Sequence, residues 1–233
     1  MAIWAIADLH LSFNEDKPMH VFGDNWKKHE EKIKQDWQSK VKEEDTVLLP
    51  GDFSWSMYLE DTVKDFEYIN NLPGKKILLK GNHDYWWTTV TKMRAFLEKN
   101  NFKNIDFLHN NSYFYENYII AGTKGWALSG EEADERLIQR EMIRLELSIT
   151  DGIQKYGQDK EIIVCMHYPP FNSYEKLELN FTKTMEKYNV KTCIYGHIHG
   201  AGAKEAITGQ IRGINYILAS SDYTDFDLLK ILD

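Results

Sequence analysis

Thr46-Val47-Leu48-Leu49-Pro50-Gly51-Asp52 is a short apolar run closed by a glycine and a carboxylate. Aliphatic, β-branched residues at this length, stopped by Pro-Gly, predict a buried strand that delivers Asp52 at its carboxyl end. The same phrase recurs along the chain. Ala2 to Ala7 leads into Asp8-Leu9-His10, and Lys76 to Lys80 into Gly81-Asn82-His83-Asp84. Ile162 to Met166 leads into His167, and Lys191 to Tyr195 into Gly196-His197-Ile198-His199. Strands in one sheet bring their carboxyl ends to a common edge, so groups far apart in sequence meet there on rigid supports.

Between these strands the periodicity turns helical. Trp26, Ile33, Trp37 and Val41 share one helical face; Leu59, Val63, Phe66 and Ile69 make a second stripe, stopped by Pro73-Gly74; Val90, Met93 and Leu97 make a third. Alternating strand and helix argue for a largely parallel sheet with helical crossovers. Tyr113-Phe114-Tyr115 and Tyr118-Ile119-Ile120-Ala121 flank Glu116-Asn117 and read as a hairpin. Ser129 followed by Glu132 fits a capping box, and Ile138, Met142, Leu145, Ile149 and Ile153 continue it as one apolar stripe. The segment at about 129–157 is expected as a helix packed on the sheet, with a lid or a dimer contact as the functional alternative. The last quarter predicts a helix over Tyr174 to Tyr188, then antiparallel strands over Glu205 to Gln210, Ile214 to Ser220 and Asp227 to Leu232.

With 233 residues and 42% hydrophobic content, the chain suits one well-buried core and is expected as a single domain over 1–233. A formal charge of -8 disfavours long nucleic acid, which needs a basic stripe to displace counterions. Small anions stay open, because bound metals reverse the local sign. Cys165 and Cys193 lie inside apolar runs and are expected as reduced core residues. The N-terminal apolar run stops at Asp8 without a basic leader, and no stretch approaches the roughly 20 apolar residues that cross a bilayer. A soluble, cytoplasmic protein without membrane contact is the expectation.

The residue types at the five strand ends suit two divalent cations. Asp8 and His10, two apart, can face one side of an extended strand end. The two oxygens of Asp52 allow it to bridge. Asn82 offers a neutral carbonyl oxygen that binds a cation without cancelling its charge. His197 and His199 can each reach a different ion, and with His167 there are seven protein ligands. An isolated D-x-H or Gly-Asp pair is common in turns, and a single histidine before Tyr168-Pro169-Pro170 is commonly an ordinary loop residue. The ordered set is what carries weight, since five of the eight histidines fall inside it. His20, His29 and His109 fall outside and read as surface or structural residues.

The order D-x-H, GD, GNHD, H, GHxH resembles the signature of the calcineurin-like metallophosphoesterases, from Asp8 to His199 with every motif position filled. The resemblance implies an α/β fold of four layers, an αββα sandwich with mixed sheets and a dinuclear centre at one edge. It implies that Asp8, His10, Asp52 and His199 hold a first ion, and that Asp52, Asn82, His167 and His197 hold a second. It implies Mn, Fe, Zn or Ni as the two divalent metal ions, and assigns His83 to phosphate stabilisation and protonation of the leaving oxygen. Asp84 would orient His83 and keep it charged.

Such a site is expected to hydrolyse a phosphomonoester or phosphodiester by attack of metal-bound hydroxide on phosphorus. Phe53, Trp55, Trp86 and Trp87 follow metal motifs directly and are candidates to line the mouth of the site. Tyr168 and Asn172, with Lys124 and Trp126, are candidate contacts too. A small phosphoester is the expected partner, a nucleotide among the options. The alternatives are a nuclease, against which the acidic balance stands, and a non-catalytic scaffold, against which the complete ligand set stands.

Overall fold

A computed structural model describes residues 1–126, 132–171 and 180–233. In chain order it runs β1 (Ile3–Ala5), α1 (His29–Lys40), β2 (Thr46–Pro50), α2 (Val63–Asn70), β3 (Lys75–Leu79), α3 (Val90–Lys99), β4 (Ile105–Leu108), β5 (Tyr113–Tyr115) and β6 (Tyr118–Thr123). It continues α4 (Glu132–Tyr156), β7 (Glu161–Met166), α5 (Asn180–Lys187), β8 (Thr192–Tyr195), β9 (Gly209–Ile211), β10 (Ile214–Leu218) and β11 (Leu229–Leu232). Short 3-10 turns fill some of the connections.

The strands form two mixed sheets, ordered β11-β1-β2-β3-β4 and β5-β6-β7-β8-β10-β9. In the first, β1 to β4 are parallel and β11 is an antiparallel edge. In the second, β6, β7, β8 and β10 are parallel, with antiparallel β5 and β9 at the edges.

Why the central strands read as unbroken apolar runs is visible in their alternation. Val47 and Leu49 of β2, with Leu78 of β3, pack toward α1, α2 and α3, where Ile33, Trp37, Phe66, Ile69, Met93 and Leu97 meet them. Leu48, Ile77 and Leu79 face the other way, against Ile120, Ile163, Cys165 and Ile194 of the second sheet. Ile119, Val164, Met166, Cys193 and Tyr195 then face α4 and α5 through Leu145, Ile149, Phe181 and Met185. Three apolar interfaces separate four layers, giving the αββα sandwich; strands buried on both faces need side chains that are apolar at every position. Cys165 and Cys193 are buried free thiols in this packing.

The chain departs from the sequence expectation in places with identifiable causes. The helix expected from Trp26 begins at His29, because Asp24–Trp26 is a 3-10 turn and Lys28 takes a left-handed φ of 55°. The strand expected over Glu205 to Gln210 starts only at Gly209, because a 3-10 segment runs to Glu205 and residues 206–208 are irregular. Of the strands expected as antiparallel, β9 and β10 do pair so, but β10 also lies parallel to β8, and β11 crosses to the first sheet as the antiparallel neighbour of β1. The helix expected over Tyr174 to Tyr188 is described only as α5, and the cap at Ser129 lies outside the described residues. Helix α4 lays Ile138, Leu145 and Ile149 on the second sheet and leaves Ile143 and Leu147 exposed outward. Among the described residues no helix is long and apolar enough to cross a membrane.

Candidate metal centre

Parallel strands β1, β2, β3, β7 and β8 end at one edge of the sandwich, and the loops that leave them converge. The last residues of the β1 run bind both sheets together: Ile6 N–H donates to Leu48 O in the first sheet, while Ala7 N–H donates to Ala219 O just beyond β10. Asp8 N–H then donates to Gly51 O, and His10 N–H to Asp52 O. The D-x-H and GD loops are thus stitched side by side.

The side chains of this edge form two groups. Donor atoms of Asp8, His10 and His199 lie within 4.8 Å of one another, and so do those of Asp52, His167 and His197. Asn82 joins the second, its Oδ1 lying 2.6 Å from His167 Nε2 and 2.9 Å from His197 Nδ1. Asp52 stands between the groups: its Oδ2 is 3.8 Å from His10 Nε2 and 3.5 Å from His167 Nε2. All seven residues singled out as ligands therefore meet at one place.

Protonation states tell what these groups lack. Burial pushes the Asp8 carboxyl up to about 7, with His199 pulling it back down. Burial likewise raises Asp52, against the backbone N–H of His83, which donates to its Oδ1 at 2.8 Å. His10 is driven well below its ordinary value by burial, and His167 and His197 down to about 3. His167 is nevertheless flanked by oxygen on both sides, Nδ1 at 3.0 Å from Pro50 O and Nε2 facing Asn82 Oδ1. A neutral ring donates to only one of them, so one ring nitrogen is left with its lone pair facing an oxygen. A cation resolves this, and it restores the ionised form of two adjacent buried carboxylates. Mixed oxygen and nitrogen donors without thiolate suit Mn, Fe, Zn or Ni. The donor set fits divalent metal.

The backbone is bent hard to reach this arrangement. Asp8, His10, Asp52 and His197 all have left-handed φ, between 47° and 73°. Such conformations cost roughly 1–3 kcal/mol each for non-glycine residues and persist only where the surroundings over-determine them. Glycines let the loops close in. A Cβ on Gly81 would stand 2.1 Å from Asp52 Oδ1, and one on Gly51, at φ 93°, would stand 2.5 Å from His167 Nδ1.

Asp84 supplies much of the restraint, and here the expectation is corrected. Its carboxylate does not hold the His83 ring. Oδ2 accepts from the N–H of Asp52 and Gly81, and Oδ1 from the N–H of Phe53 and Ser54 and the indole of Trp86. With both oxygens occupied, Asp84 organises the GD and GNHD loops, and His83 Nδ1 is buried without a hydrogen-bond partner among the described residues. His83 itself sits beside the first group, its ring 5.7 Å from that of His10 and 4.5 Å from that of Trp55.

Of the aromatic residues expected at the mouth, Phe53, Trp86 and Trp87 are buried core. Trp55 alone of the four reaches the site, stacked on His10 at 4.8 Å. Beside it opens a cavity of about 430 Å³ lined by His10, Met19, Phe22, Trp26, Trp55 and His83 among others. Trp26, expected as a core-facing residue, is buried in the core with Ile33 and Trp37 and also forms part of this wall. On the other flank the Tyr168 ring lies 4.2 Å from that of His197, and the Lys124 ammonium 4.1 Å above Trp126. Asn172 lies outside the described residues. His29 is structural, its ring nitrogens facing Trp26 O and Leu9 O.

One functional residue escaped the sequence reading. Asp222 accepts from His199 Nδ1 at 2.7 Å and from Gly200 N–H at 2.9 Å. Burial disfavours charge on His199, yet Asp222 and Asp8 together hold its pKa above the ordinary value. The signal was present: Ser220-Ser221-Asp222 follows the strand Ile214–Leu218 just as the other carboxylates follow theirs.

Comparison with known proteins matches residues 1–201 to the family model described as calcineurin-like phosphoesterase. The Gene 66 protein of Mycobacterium phage L5 is 31% identical over 81 residues, 35% of this chain and 39% of that protein, so the match spans well under half of its length. Among solved structures, the phosphopantetheinyl hydrolase PptH of Mycobacterium tuberculosis aligns with a TM-score of 0.56 at 12% identity, covering 99% of this chain and 95% of that one. The protein of unknown function AQ665 from Aquifex aeolicus aligns at 0.52 with 19% identity, covering 98% and 95%. At these identities the structures share the fold alone.

Proposed function

This chain belongs to the calcineurin-like phosphoesterase family, and from that premise we propose that it is a dinuclear metal-dependent phosphohydrolase acting on a small phosphoester. The observation that carries the dinuclear reading is Asp52 Oδ2, set 3.8 Å from His10 Nε2 and 3.5 Å from His167 Nε2, between two separate groups of donors. Asp8, His10, Asp52 and His199 would hold one ion, and Asp52, Asn82, His167 and His197 the other. When bound, such a pair acidifies water into a nucleophile near neutral pH and neutralises the non-bridging phosphate oxygens.

The chain's own residues do the rest. The Asn82 amide and the low-pKa rings of His167 and His197 present lone pairs without adding charge, so the centre keeps an excess that attracts phosphate. Asp222 fixes His199 so that Nε2 faces Asp8 Oδ1, 3.8 Å away. His83, at the border of the aromatic cavity, donates a proton to the leaving oxygen. The leaving group then lies among Trp55, Trp26 and Met19, an apolar wall suited to a planar or hydrophobic moiety. A nucleotide is one such substrate; an ester of the kind named for the phosphopantetheinyl hydrolase of Mycobacterium tuberculosis is another.

The test is turnover of metal-reconstituted full-length protein across phosphomonoesters and phosphodiesters, with Asp52→Asn beside it. Hydrolysis that depends on added metal and falls at least a hundredfold in Asp52→Asn supports the reading. A metal-loaded protein inert on every ester overturns it in favour of a scaffold. Strongly salt-dependent cleavage confined to polynucleotides would make it a nuclease.

A further inference from the structure

A second cavity, about 70 Å³, lies beside the metal centre where both sheets meet α4, lined by Lys80, His109, Thr123, Lys124, Arg140, Glu141 and Arg144 among others. Four cationic side chains here surround one carboxylate in a protein whose overall charge is -8. Glu141 is fully engaged: Oε2 accepts from Thr123 Oγ1 at 2.6 Å, and Oε1 from Arg144 at 2.7 Å and Arg140 Nε at 3.2 Å. Lys80 and Lys124 are left over. Neither ammonium has an ion pair with a described residue; that of Lys124 rests over the Trp126 ring, and the carboxylates act on them only electrostatically, Glu141 and Asp52 on Lys124, Asp84 and Glu141 on Lys80. Collecting like charges in a half-buried recess is unfavourable unless an anion joins them.

Two of its lysines adjoin the segments that carry the metal-site residues. Lys80 stands two residues before Asn82, and Lys124 O accepts the N–H of both His167 and Tyr168. Its volume admits several waters or one tetrahedral oxyanion, not a sugar or a base. Its arginines present planar donor forks and its lysines mobile point charges, the combination that recognises phosphate.

Resting on the phosphohydrolase reading, the geometry points to a second phosphate subsite: the substrate carries, besides the phosphoester that is cleaved, another phosphate group that Lys80, Lys124, Arg140 and Arg144 hold. Substrates of this class are bisphosphates or phosphoanhydride-bearing esters. The subsite lies on the His167 and His197 side, away from the aromatic cavity, so it selects on the part of the substrate opposite the apolar moiety.

Titration of the metal-loaded full-length protein with inorganic phosphate tests the pocket, and paired esters test what carries the phosphate. The wild type is expected to take up two phosphates per chain, and Lys80→Met/Lys124→Met one. These lysines leave no orphaned carboxylate when removed; should the double variant melt early, Lys80→Met alone is expected to weaken the second phosphate at least tenfold. For two esters differing only by a second phosphate, the wild type should favour the doubly phosphorylated one at least tenfold in kcat/KM, and the double variant should lose that preference. A single phosphate in the wild type overturns the subsite. Two phosphates with no preference between the esters overturn a substrate-borne group in favour of free phosphate. If no ester is turned over, the hydrolase reading fails while the phosphate stoichiometry still decides the pocket.

Discussion

His199 Nδ1 lies 2.7 Å from Asp222 Oδ1, so the imidazole that ends the GHxH motif is held by a carboxylate on the other side of β10. The hydrogen bond places the proton on Nδ1 and leaves Nε2 for the centre. Asp222→Asn keeps the shape but weakens the charge-assisted bond. Metal affinity is expected to fall about 10–100-fold, the usual cost of losing such a partner. Competition between the protein and a chelator of known strength measures it, and unchanged affinity would remove Asp222 from the site.

Asp84 receives four backbone N–H groups and an indole N–H, and no hydrogen bond of its side chain reaches the His83 ring. Asp84→Ala leaves those buried donors unmet, at roughly 1–3 kcal/mol for each that finds no water. A large fall in thermal stability is expected, with metal retention lost alongside it. Asp84→Asn, to the extent that it folds, should keep the wild-type pH profile of kcat. A profile altered in the manner of a His83 variant would restore Asp84 to the acid role.

The proposed function assigns proton donation to His83, whose ring is not held by Asp84. His83→Ala should retain metal and lose about 10²–10⁴-fold in turnover on esters with basic leaving groups. For leaving groups that depart without a proton the loss should be far smaller. Equal losses across a series graded by leaving-group pKa would count against proton donation.

Lys76 on β3 is fully buried, its ammonium donating to Leu72 O and lying 5.8 Å from the Trp37 ring. Burial lowers its pKa to about 7, against about 10.4 in the unfolded chain. Between those values the unfolded chain binds a proton that the folded one does not, so this residue makes stability rise with pH across that window. Lys76→Met removes the dependence. Its stability gain over the wild type should be greatest at about pH 6 and shrink toward about pH 10, by up to about 1.4 kcal/mol per unit of pKa displacement. Urea unfolding at several pH values reads this directly, and a difference independent of pH would show that Lys76 stays charged in the fold.

The strands that carry Asp8, Asp52, Asn82, His167 and His197 were legible because burial on both faces imposes apolar residues at every position, and because each run stops on its ligand. The hairpin at Glu116-Asn117 was legible through its aromatic strands and short turn, and β5 and β6 pair with Tyr115 opposite Tyr118. Helix faces were legible as stripes, but a stripe says only that a residue is apolar. Trp26 shares its period and its core with Ile33 and Trp37, but it sits in a 3-10 turn before a left-handed Lys28, outside the helix, where it also walls the cavity beside His10.

Residue order and type alone therefore determined the list of candidate ligands and the alternation of strand and helix, since both follow from local pattern: unbroken apolar runs that end on polar residues, and helical stripes between them. Tertiary structure decided what each group faces. The Asp84 carboxylate turned to backbone amides rather than to His83, Asp222 arrived from a strand end remote in sequence from His199, and cations from two strand ends and a helix gathered around one recess. These are contacts between segments remote in sequence, set by how two sheets pack face to face, and no local period records the result of that packing.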